Sequence, residues 1–170
     1  MNWSTLLITR IKVCWNIQDF INLDYKTLGG YGSNNYIQYS QDPYRHIINN
    51  DVYSMPNPMP KFVNEVIAQF DYDIKAVAFN RTPPGNILPL HSDLYENYVK
   101  AYKIKDIANI HRYIIFLEDA KIGHMLQIEN NVFSQWKAGD VCGWKGSTLH
   151  AAYNMGYEHR YTMQVTCSNK

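Results

Sequence analysis

The chain has 170 residues, of which 46% are hydrophobic and 18% are charged, and its formal net charge is +1. This length suits one globular domain with its own core, and the composition is not that of a disordered chain. A nearly neutral chain has no basic footprint of the kind that non-specific nucleic-acid binding requires. Composition therefore disfavours a nucleic-acid ligand.

The cellular setting is predicted from features that the sequence lacks. Its longest apolar runs, such as residues 114–117, are far shorter than a membrane span, and its start lacks the charged segment and apolar core of a secretory signal. Cys14, Cys142 and Cys167 are odd in number and widely spaced, which is typical of reduced thiols. We therefore expect a cytoplasmic protein without membrane contact, and the sequence leaves its oligomeric state open.

The first third of the chain predicts little regular structure. Residues 29–58 are rich in Gly, Asn, Ser, Tyr and Pro, which indicates irregular surface chain. A helix is predicted over residues 60–70, because Pro60 suits a first helical turn and the apolar residues that follow it fall on one stripe.

From Ile74 onward the pattern changes to short β-like segments that are separated by turn signals such as Pro83-Pro84-Gly85. The predicted strands are residues 74–80, 86–90, 110–118, 125–133, 140–144 and 160–167. Many short strands favour an antiparallel sandwich or barrel over a doubly wound fold. We expect a mainly β (α+β) single domain over residues 1–170. Its β core would span residues 74–167, and residues 1–73 would support it with a helix or two packed outside.

The last predicted strand has one polar and one apolar face, because side chains alternate across a strand. The polar face carries Arg160, Thr162, Gln164 and Thr166, and the apolar face carries Tyr161, Met163, Val165 and Cys167. On alternation alone, a solvent-facing polar side is the ordinary interpretation. The alternative is a polar face that lines a barrel interior and holds a charged small molecule.

His91 and Asp93 stand two residues apart, so both side chains project from one face if the segment is extended. Two imidazoles and one carboxylate on one side of an octahedron form the facial triad of non-haem iron(II) oxygenases. In a chain with six histidines this spacing arises by chance with a probability on the order of one in four, so it needs context. Pro83-Pro84-Gly85 and Pro89 supply that context, because they place His91 at a strand end beside a tight turn.

A third ligand must come from a more distant histidine. The choices are His46, His111, His124, His150 and His159. His150 follows a turn, a short strand and a glycine-marked loop, and Arg160 comes ten residues later. Taken alone, His150 would more often be a hydrogen-bonded loop histidine and Arg160 a surface cation. Together they fit a ligand that a metal binds at one end and an arginine at the other.

His91-x-Asp93, His150 and Arg160, with Thr162 two residues further on, resemble the 2-oxoglutarate/iron(II) oxygenase superfamily. The resemblance is to its prolyl-hydroxylase-like and aspartyl/asparaginyl-hydroxylase-like branches, with supporting stretches at residues 112–119, 136–141 and 149–156. It covers residues 74–167 and implies a double-stranded β-helix, or jelly roll. It also implies iron on His91, Asp93 and His150. Arg160 would bind the distal carboxylate of 2-oxoglutarate with help from Thr162.

Further contacts are implied less directly by the same resemblance. Asn80 stands near the position where prolyl-hydroxylase-like enzymes keep a cosubstrate-contacting tyrosine, and Arg112 would touch the cosubstrate if its strand turns it inward. Residues 94–109 would border the open coordination positions, where Tyr95 and Tyr98 suit substrate contact. Tyr98 and Tyr102 are four residues apart and fit one packed helical stripe equally well.

The function that the resemblance implies is an Fe(II)- and 2-oxoglutarate-dependent dioxygenase that consumes O2 and releases succinate and CO2. It would hydroxylate a C–H bond of a peptidyl residue, a free amino acid or a small metabolite. Three alternatives stay open: a cupin-like metal enzyme that does not use 2-oxoglutarate, a non-catalytic β-sandwich binding module, and an oxygenase scaffold that has lost turnover.

Overall fold

The computed structural model describes residues 7–29, 46–54 and 59–169. Its strands are β1 (Leu7–Arg10), β2 (Lys26–Gly29), β3 (Asn49–Ser54), β4 (Ile74–Thr82), β5 (Asn86–His91), β6 (His111–Phe116), β7 (His124–Ile128), β8 (Asn131–Phe133), β9 (Asp140–Lys145), β10 (His150–Asn154) and β11 (Arg160–Ser168). Its helices are α1 (Gln18–Ile21), α2 (Lys61–Ile67) and α3 (Glu96–Tyr102), and a 3-10 turn covers Ile107–Asn109. Within these residues, no helix is long and apolar enough to cross a membrane.

The strands form two antiparallel sheets that face each other. The larger sheet has the order β1-β9-β6-β11-β4-β3-β2, and the smaller has the order β5-β10-β7-β8. Phe116 and Trp144 of the larger sheet share one buried cluster with Leu126 and Ile128 of the smaller sheet. This arrangement is a double-stranded β-helix, so the predicted fold class is confirmed.

The short N-terminal helices pack on the outer face of the larger sheet, as expected. Phe20 of α1 and Val63 of α2 are completely buried there, and the Phe20 ring meets the Phe79 ring of β4 edge-on at 5.1 Å. Each such side chain contributes roughly 1.5–3 kcal/mol relative to an exposed one. The α2 helix begins after Pro60 and ends at Ile67, three residues before the predicted end.

The prediction of irregular chain over residues 29–58 is wrong for its described part. β3 pairs with both β4 and β2, and β1 joins the opposite edge beside β9. The polar sequence of β3 predicts a loop, but its buried Asp51 accepts hydrogen bonds from Thr27 Oγ1 and Arg81 Nε. These long-range partners override weak local β propensity. Residues 30–45 and 55–58 lie outside the described part of the chain.

Two further strand predictions need correction. The segment 125–133 is not one strand but the hairpin of β7 and β8, whose turn holds Glu129 at φ 51°. β10 was not among the predicted strands, because its His-Ala-Ala-Tyr-Asn sequence has no β-branched residue. This strand carries the third predicted metal ligand, and it is held in extended conformation by antiparallel pairing with β5 on one side and β7 on the other.

The polar face of β11 lies inside the molecule. Arg160 and Thr162 are 3% and 2% exposed, and Thr162 stands opposite Phe116, a member of the cluster between the sheets. The opposite face of β11, including Met163 and Val165, packs against the outer helices. The solvent-facing interpretation is therefore wrong, and the polar face lines the interior.

Candidate metal centre

His91 and His150 are brought together by strand register. His91 ends β5, His150 begins β10, and the two residues are direct cross-strand partners with ring centroids 4.3 Å apart. The Nδ1 of His91 is 2.7 Å from the Pro89 carbonyl oxygen, and that of His150 is 3.0 Å from the Thr148 carbonyl oxygen. Because a carbonyl only accepts, each Nδ1 is the donor, and each Nε2 keeps its lone pair for a metal.

Asp93 completes the group from the loop after β5. Its Oδ1 is 3.8 Å from His91 Nε2, and its Oδ2 is 3.6 Å from His150 Nε2. All three ligand atoms lie within 4.8 Å of one another. Two ligands about 2.1 Å from one ion and at right angles are about 3 Å apart, so a small inward shift lets these atoms share an ion. The residues fit a divalent metal.

The electrostatics of the site suit metal binding. Burial lowers the pKa of His91, and lowers that of His150 to about 4, although Asp93 acts in the opposite direction on both. Burial opposes ionisation of Asp93, but Arg112 and the two histidines outweigh it, and the pKa of Asp93 is lowered. At neutral pH the group is therefore two neutral imidazoles and one carboxylate, the forms that bind metals.

Arg112 faces inward from β6, and its contact is with a ligand residue. Its Nη2 is 3.1 Å from Asp93 Oδ2, and its guanidinium carbon is 5.0 Å from the centre of the Tyr95 ring. Arg112 is 9% exposed, and the cross-strand partner of Arg112 on β9 is Trp144. The predicted contact between Arg112 and the cosubstrate stays a prediction.

Arg160 is a buried cation without an acidic partner among the described residues. Its guanidinium carbon lies 5.9 Å from the Phe116 ring centre and 5.5 Å from the Trp136 ring centre, and its Nε makes no hydrogen bond to any described residue. Burial lowers the pKa of Arg160 to about 10, so it stays charged at neutral pH. A buried charge is costly unless it is paired, so this position fits an anion. Thr162 is the next residue along on the same face.

Asn80 lies beside Thr162 in the register of β4 and β11. Its Oδ1 accepts a hydrogen bond of 2.8 Å from Asn50 Nδ2, while Asn50 Oδ1 accepts one of 2.9 Å from Thr82. Asn80 is thus part of a polar network at the edge of the interior, and its predicted cosubstrate contact stays untested.

Tyr95 and Tyr98 differ in their surroundings. The Tyr95 hydroxyl donates to the Gly146 carbonyl oxygen at 3.1 Å, and its ring lies against Arg112. Tyr98 packs against Tyr102 with ring centroids 4.9 Å apart, and its hydroxyl bonds to Ser168 and to the Ile74 carbonyl. This favours the packed helical stripe over substrate contact for Tyr98 and leaves Tyr95 at the border of the metal centre.

Trp144 is a residue of the site that sequence reasoning missed. Its ring centroid is 4.5 Å from that of His150, and its buried indole Nε1 makes no hydrogen bond of good geometry within the described residues, although the Tyr95 hydroxyl lies near it. The sequence does carry a sign of its inward position, because Trp144 shares a strand face with Cys142 shortly after the Gly139-Asp140 turn. The register that sets it opposite Arg112 could not be read from the sequence.

No family model matches the chain, and none of the curated proteins matches it by sequence. Among solved structures it is similar to a prolyl-4-hydroxylase from Pseudomonas putida, with 13% identity over 74% of each chain and a TM-score of 0.56. It also matches a predicted oxalate decarboxylase from Thermotoga maritima, with 15% identity over 71% of this chain and 81% of that one and a TM-score of 0.44. A cupin domain of Schizosaccharomyces pombe Cnp3 matches at 11% identity over 71% and 61%, with a TM-score of 0.44. The likeness to the first structure is one of fold, the double-stranded β-helix.

Proposed function

We propose that the chain is a non-haem Fe(II)- and 2-oxoglutarate-dependent dioxygenase that hydroxylates a substrate C–H bond. One observation carries the proposal. The interior between the two sheets holds a buried His-Asp-His group and also Arg160, a buried cation without an acidic partner in the described chain. A metal-chelating ligand with a second carboxylate would satisfy both.

The metal ligands would hold Fe(II) from one side. His91 and His150 offer neutral nitrogens whose orientation is set by backbone carbonyls, and Asp93 offers one charged oxygen. Three ligands grouped in this way leave neighbouring coordination positions open for a chelating cosubstrate and O2. When bound, the iron and 2-oxoglutarate supply the oxidative chemistry, with succinate and CO2 as products.

Arg160 would orient the far end of the cosubstrate. A guanidinium pairs with a carboxylate through two parallel hydrogen bonds, and such bonds are strong where water is excluded. The Phe116 and Trp136 rings, which stack at 4.1 Å, shield this end of the interior. Thr162 adds a buried hydroxyl on the same strand face. Together these residues would fix both the position and the direction of a five-carbon dicarboxylate.

Calorimetric titration of 2-oxoglutarate into Mn(II)-loaded protein tests this proposal without turnover. We expect saturable binding to the wild-type chain and its loss in Arg160→Gln. Arg10→Gln is the matched control, because the Arg10 side chain is 63% exposed on β1. A protein that binds Mn(II) but not 2-oxoglutarate would instead be a cupin-like metal enzyme. One that binds neither would be a binding module.

A substrate screen read out by succinate formation, with Fe(II) and ascorbate present, tests the reaction itself. Peptides, free amino acids and small metabolites are the classes to include. A chain that binds Mn(II) and 2-oxoglutarate but releases no succinate with any of the substrates tested would be a scaffold that has lost turnover.

A further inference from the structure

In the described part of the chain, two buried N–H groups that make no hydrogen bond of good geometry lie beside the metal centre. Arg112 and Trp144 are cross-strand partners on β6 and β9, and they are 9% and 4% exposed. Among the described residues, neither Arg112 Nε nor Trp144 Nε1 makes a hydrogen bond of good geometry, although the Tyr95 hydroxyl oxygen lies close enough to both side chains to interact with them. A buried donor without an acceptor is destabilising, so an acceptor that binds between them would satisfy both.

Both groups are next to the ligand residues. The Arg112 guanidinium contacts Asp93 at 3.1 Å, and the Trp144 ring lies against the His150 ring. Tyr95 closes the same side, since its ring packs on the guanidinium and its hydroxyl is bonded to the Gly146 carbonyl. Burial raises the pKa of Tyr95 to about 12, so its hydroxyl stays a neutral donor. An acceptor placed here would adjoin Asp93 and His150, two of the residues that would hold the metal.

The buried charges favour an anion as that acceptor. Arg112 already neutralises Asp93, and metal-bound histidines are neutral, so a divalent ion would keep both of its positive charges. 2-Oxoglutarate brings two negative charges, of which Arg160 takes one. One positive charge is then left over in an interior of low dielectric.

The nearby described acids do not supply the missing charge. Asp51 is paired with Arg81 at 2.9 Å. Glu118 contacts Lys121, which it shares with the exposed Glu158, and it acts on Arg160 only from beyond ion-pair distance. A negatively charged substrate would therefore balance the site, whereas a neutral peptidyl side chain would leave it cationic.

We propose that the substrate carries a carboxylate, held by Arg112 and Trp144 beside the reacting carbon. This inference rests on the proposed dioxygenase function. An arginine fork matches a carboxylate in shape and charge, and the indole N–H adds a donor from the neighbouring strand. The carboxylate belongs either to a free amino or organic acid or to an acidic residue of a peptide.

Line broadening in proton NMR by protein-bound Mn(II) tests this without turnover, because only ligands close to the ion are broadened. The probes are free L-amino acids, their primary carboxamides, and N-acetylated aspartate and glutamate amides, each added with 2-oxoglutarate present. We expect at least one acid to be broadened and its matched amide not to be. Broadening of a free acid and of a blocked acidic residue distinguishes the two sources. If amides are broadened as strongly as acids, or no acid exceeds its amide, the inference is overturned.

Three variants locate the carboxylate. We expect Arg112→Gln to weaken binding of the acid at least tenfold and Trp144→Phe, which keeps a ring but loses the N–H, to weaken it severalfold. Arg112→Lys keeps the positive charge but loses the two parallel donors, so its affinity for the acid should be intermediate. It also serves as the test if Arg112→Gln fails to fold. Mn(II) binding is measured on each protein by electron paramagnetic resonance.

The same variants separate this inference from the proposed function. If Arg112→Gln weakens 2-oxoglutarate binding but leaves acid broadening unchanged, Arg112 holds the cosubstrate and the inference fails. If 2-oxoglutarate does not bind the wild-type chain, the dioxygenase proposal fails. Broadening of an acid by Mn(II)-protein alone, lost in Arg112→Gln, would then still support the anion site.

Discussion

His91 and His150 stand directly opposite each other in the register of β5 and β10, with their rings 4.3 Å apart. Each ring is anchored by the carbonyl of the residue two positions earlier, so both present Nε2 to the same space. Asp93, two residues after His91, enters that space from the loop. The geometry of the centre thus depends on one antiparallel strand pair, and a shift of register would separate its ligands.

Removing any one of the three ligand side chains should prevent tight metal binding and thereby abolish activity. We expect His91→Ala, Asp93→Ala and His150→Ala to weaken Mn(II) binding by more than about 100-fold, since changes in the outer shell alone cost 10–100-fold. Succinate formation should be lost in all three. His159→Ala, at an exposed position, is the control. A ligand variant that turns over 2-oxoglutarate at the wild-type rate would show that the assignment is wrong.

Metal should also stabilise the fold, because the ligands converge only in the folded chain. At a free Mn(II) concentration of 100 times the dissociation constant, we expect a gain of about 2.7 kcal/mol in the free energy of unfolding. Thermal unfolding with Mn(II), and then with a chelator in excess, measures it. Asp93→Ala should gain less than about 0.4 kcal/mol at the same Mn(II) concentration, and an equal gain in both proteins would place the bound metal elsewhere.

Arg160→Met separates binding from stability. Loss of the guanidinium should remove 2-oxoglutarate binding. It should also stabilise the ligand-free protein by about 1–4 kcal/mol, since a buried charge that has no ion pair with any described residue is replaced by an apolar side chain of similar length. Urea unfolding of the ligand-free proteins measures the second effect. A variant that is less stable than the wild type would mean that Arg160 already has a partner.

The sequence predicted those parts of the site that depend on short-range patterns. His91-x-Asp93 follows a Pro-Pro-Gly turn, and the alternation of β11 sets Arg160 and Thr162 on one face. These patterns come from local backbone geometry, which neighbouring residues specify. The same patterns placed most strands of residues 74–167 within a few residues of their bounds.

The sequence could not predict relations that are fixed by pairing. Whether the polar face of β11 is buried depends on the smaller sheet that covers it, and alternation is the same in either case. Trp144 became part of the site only through its register with Arg112. β3 is held as a strand by Arg81, thirty residues away from Asp51, and local propensity carries no sign of that pair.

His124 should make the fold sensitive to mild acid. Burial lowers the pKa of His124 below its ordinary value of 6.5, against the opposing effect of the Glu158 carbonyl. The unfolded chain therefore takes up a proton near pH 6.5, and the folded chain does so only at lower pH. Stability is retained above about pH 6.5 and is lost as the pH falls from there toward the lowered pKa.

His124→Gln isolates this contribution, because the other histidines act equally in both proteins. We expect the free energy of unfolding, measured in urea from pH 7.5 to pH 5, to fall less steeply in the variant. If the free energy of unfolding falls equally steeply with pH in both proteins, His124 is not a source of the acid sensitivity.

Gly156 lies where the turn after β10 crosses the turn before β7. Met155 N–H donates to the Gly123 carbonyl at 2.9 Å, and a Cβ on Gly156 would overlap the Ile122 carbonyl oxygen. Backbone cannot move aside as a flexible side chain does, so we expect Gly156→Ala to destabilise the fold by about 2–3 kcal/mol. Gly85→Ala is the matched control, because Gly85 has φ +72° but no described atom lies within 4 Å of the added carbon. This substitution should cost only about 1 kcal/mol.

Since the turn that contains Gly156 leads directly into Arg160, Gly156→Ala should also weaken 2-oxoglutarate binding, which Gly85→Ala should not. Equal losses of stability in urea for the two variants would mean that the turns separate easily, and the position of Arg160 would then be set by β11 alone.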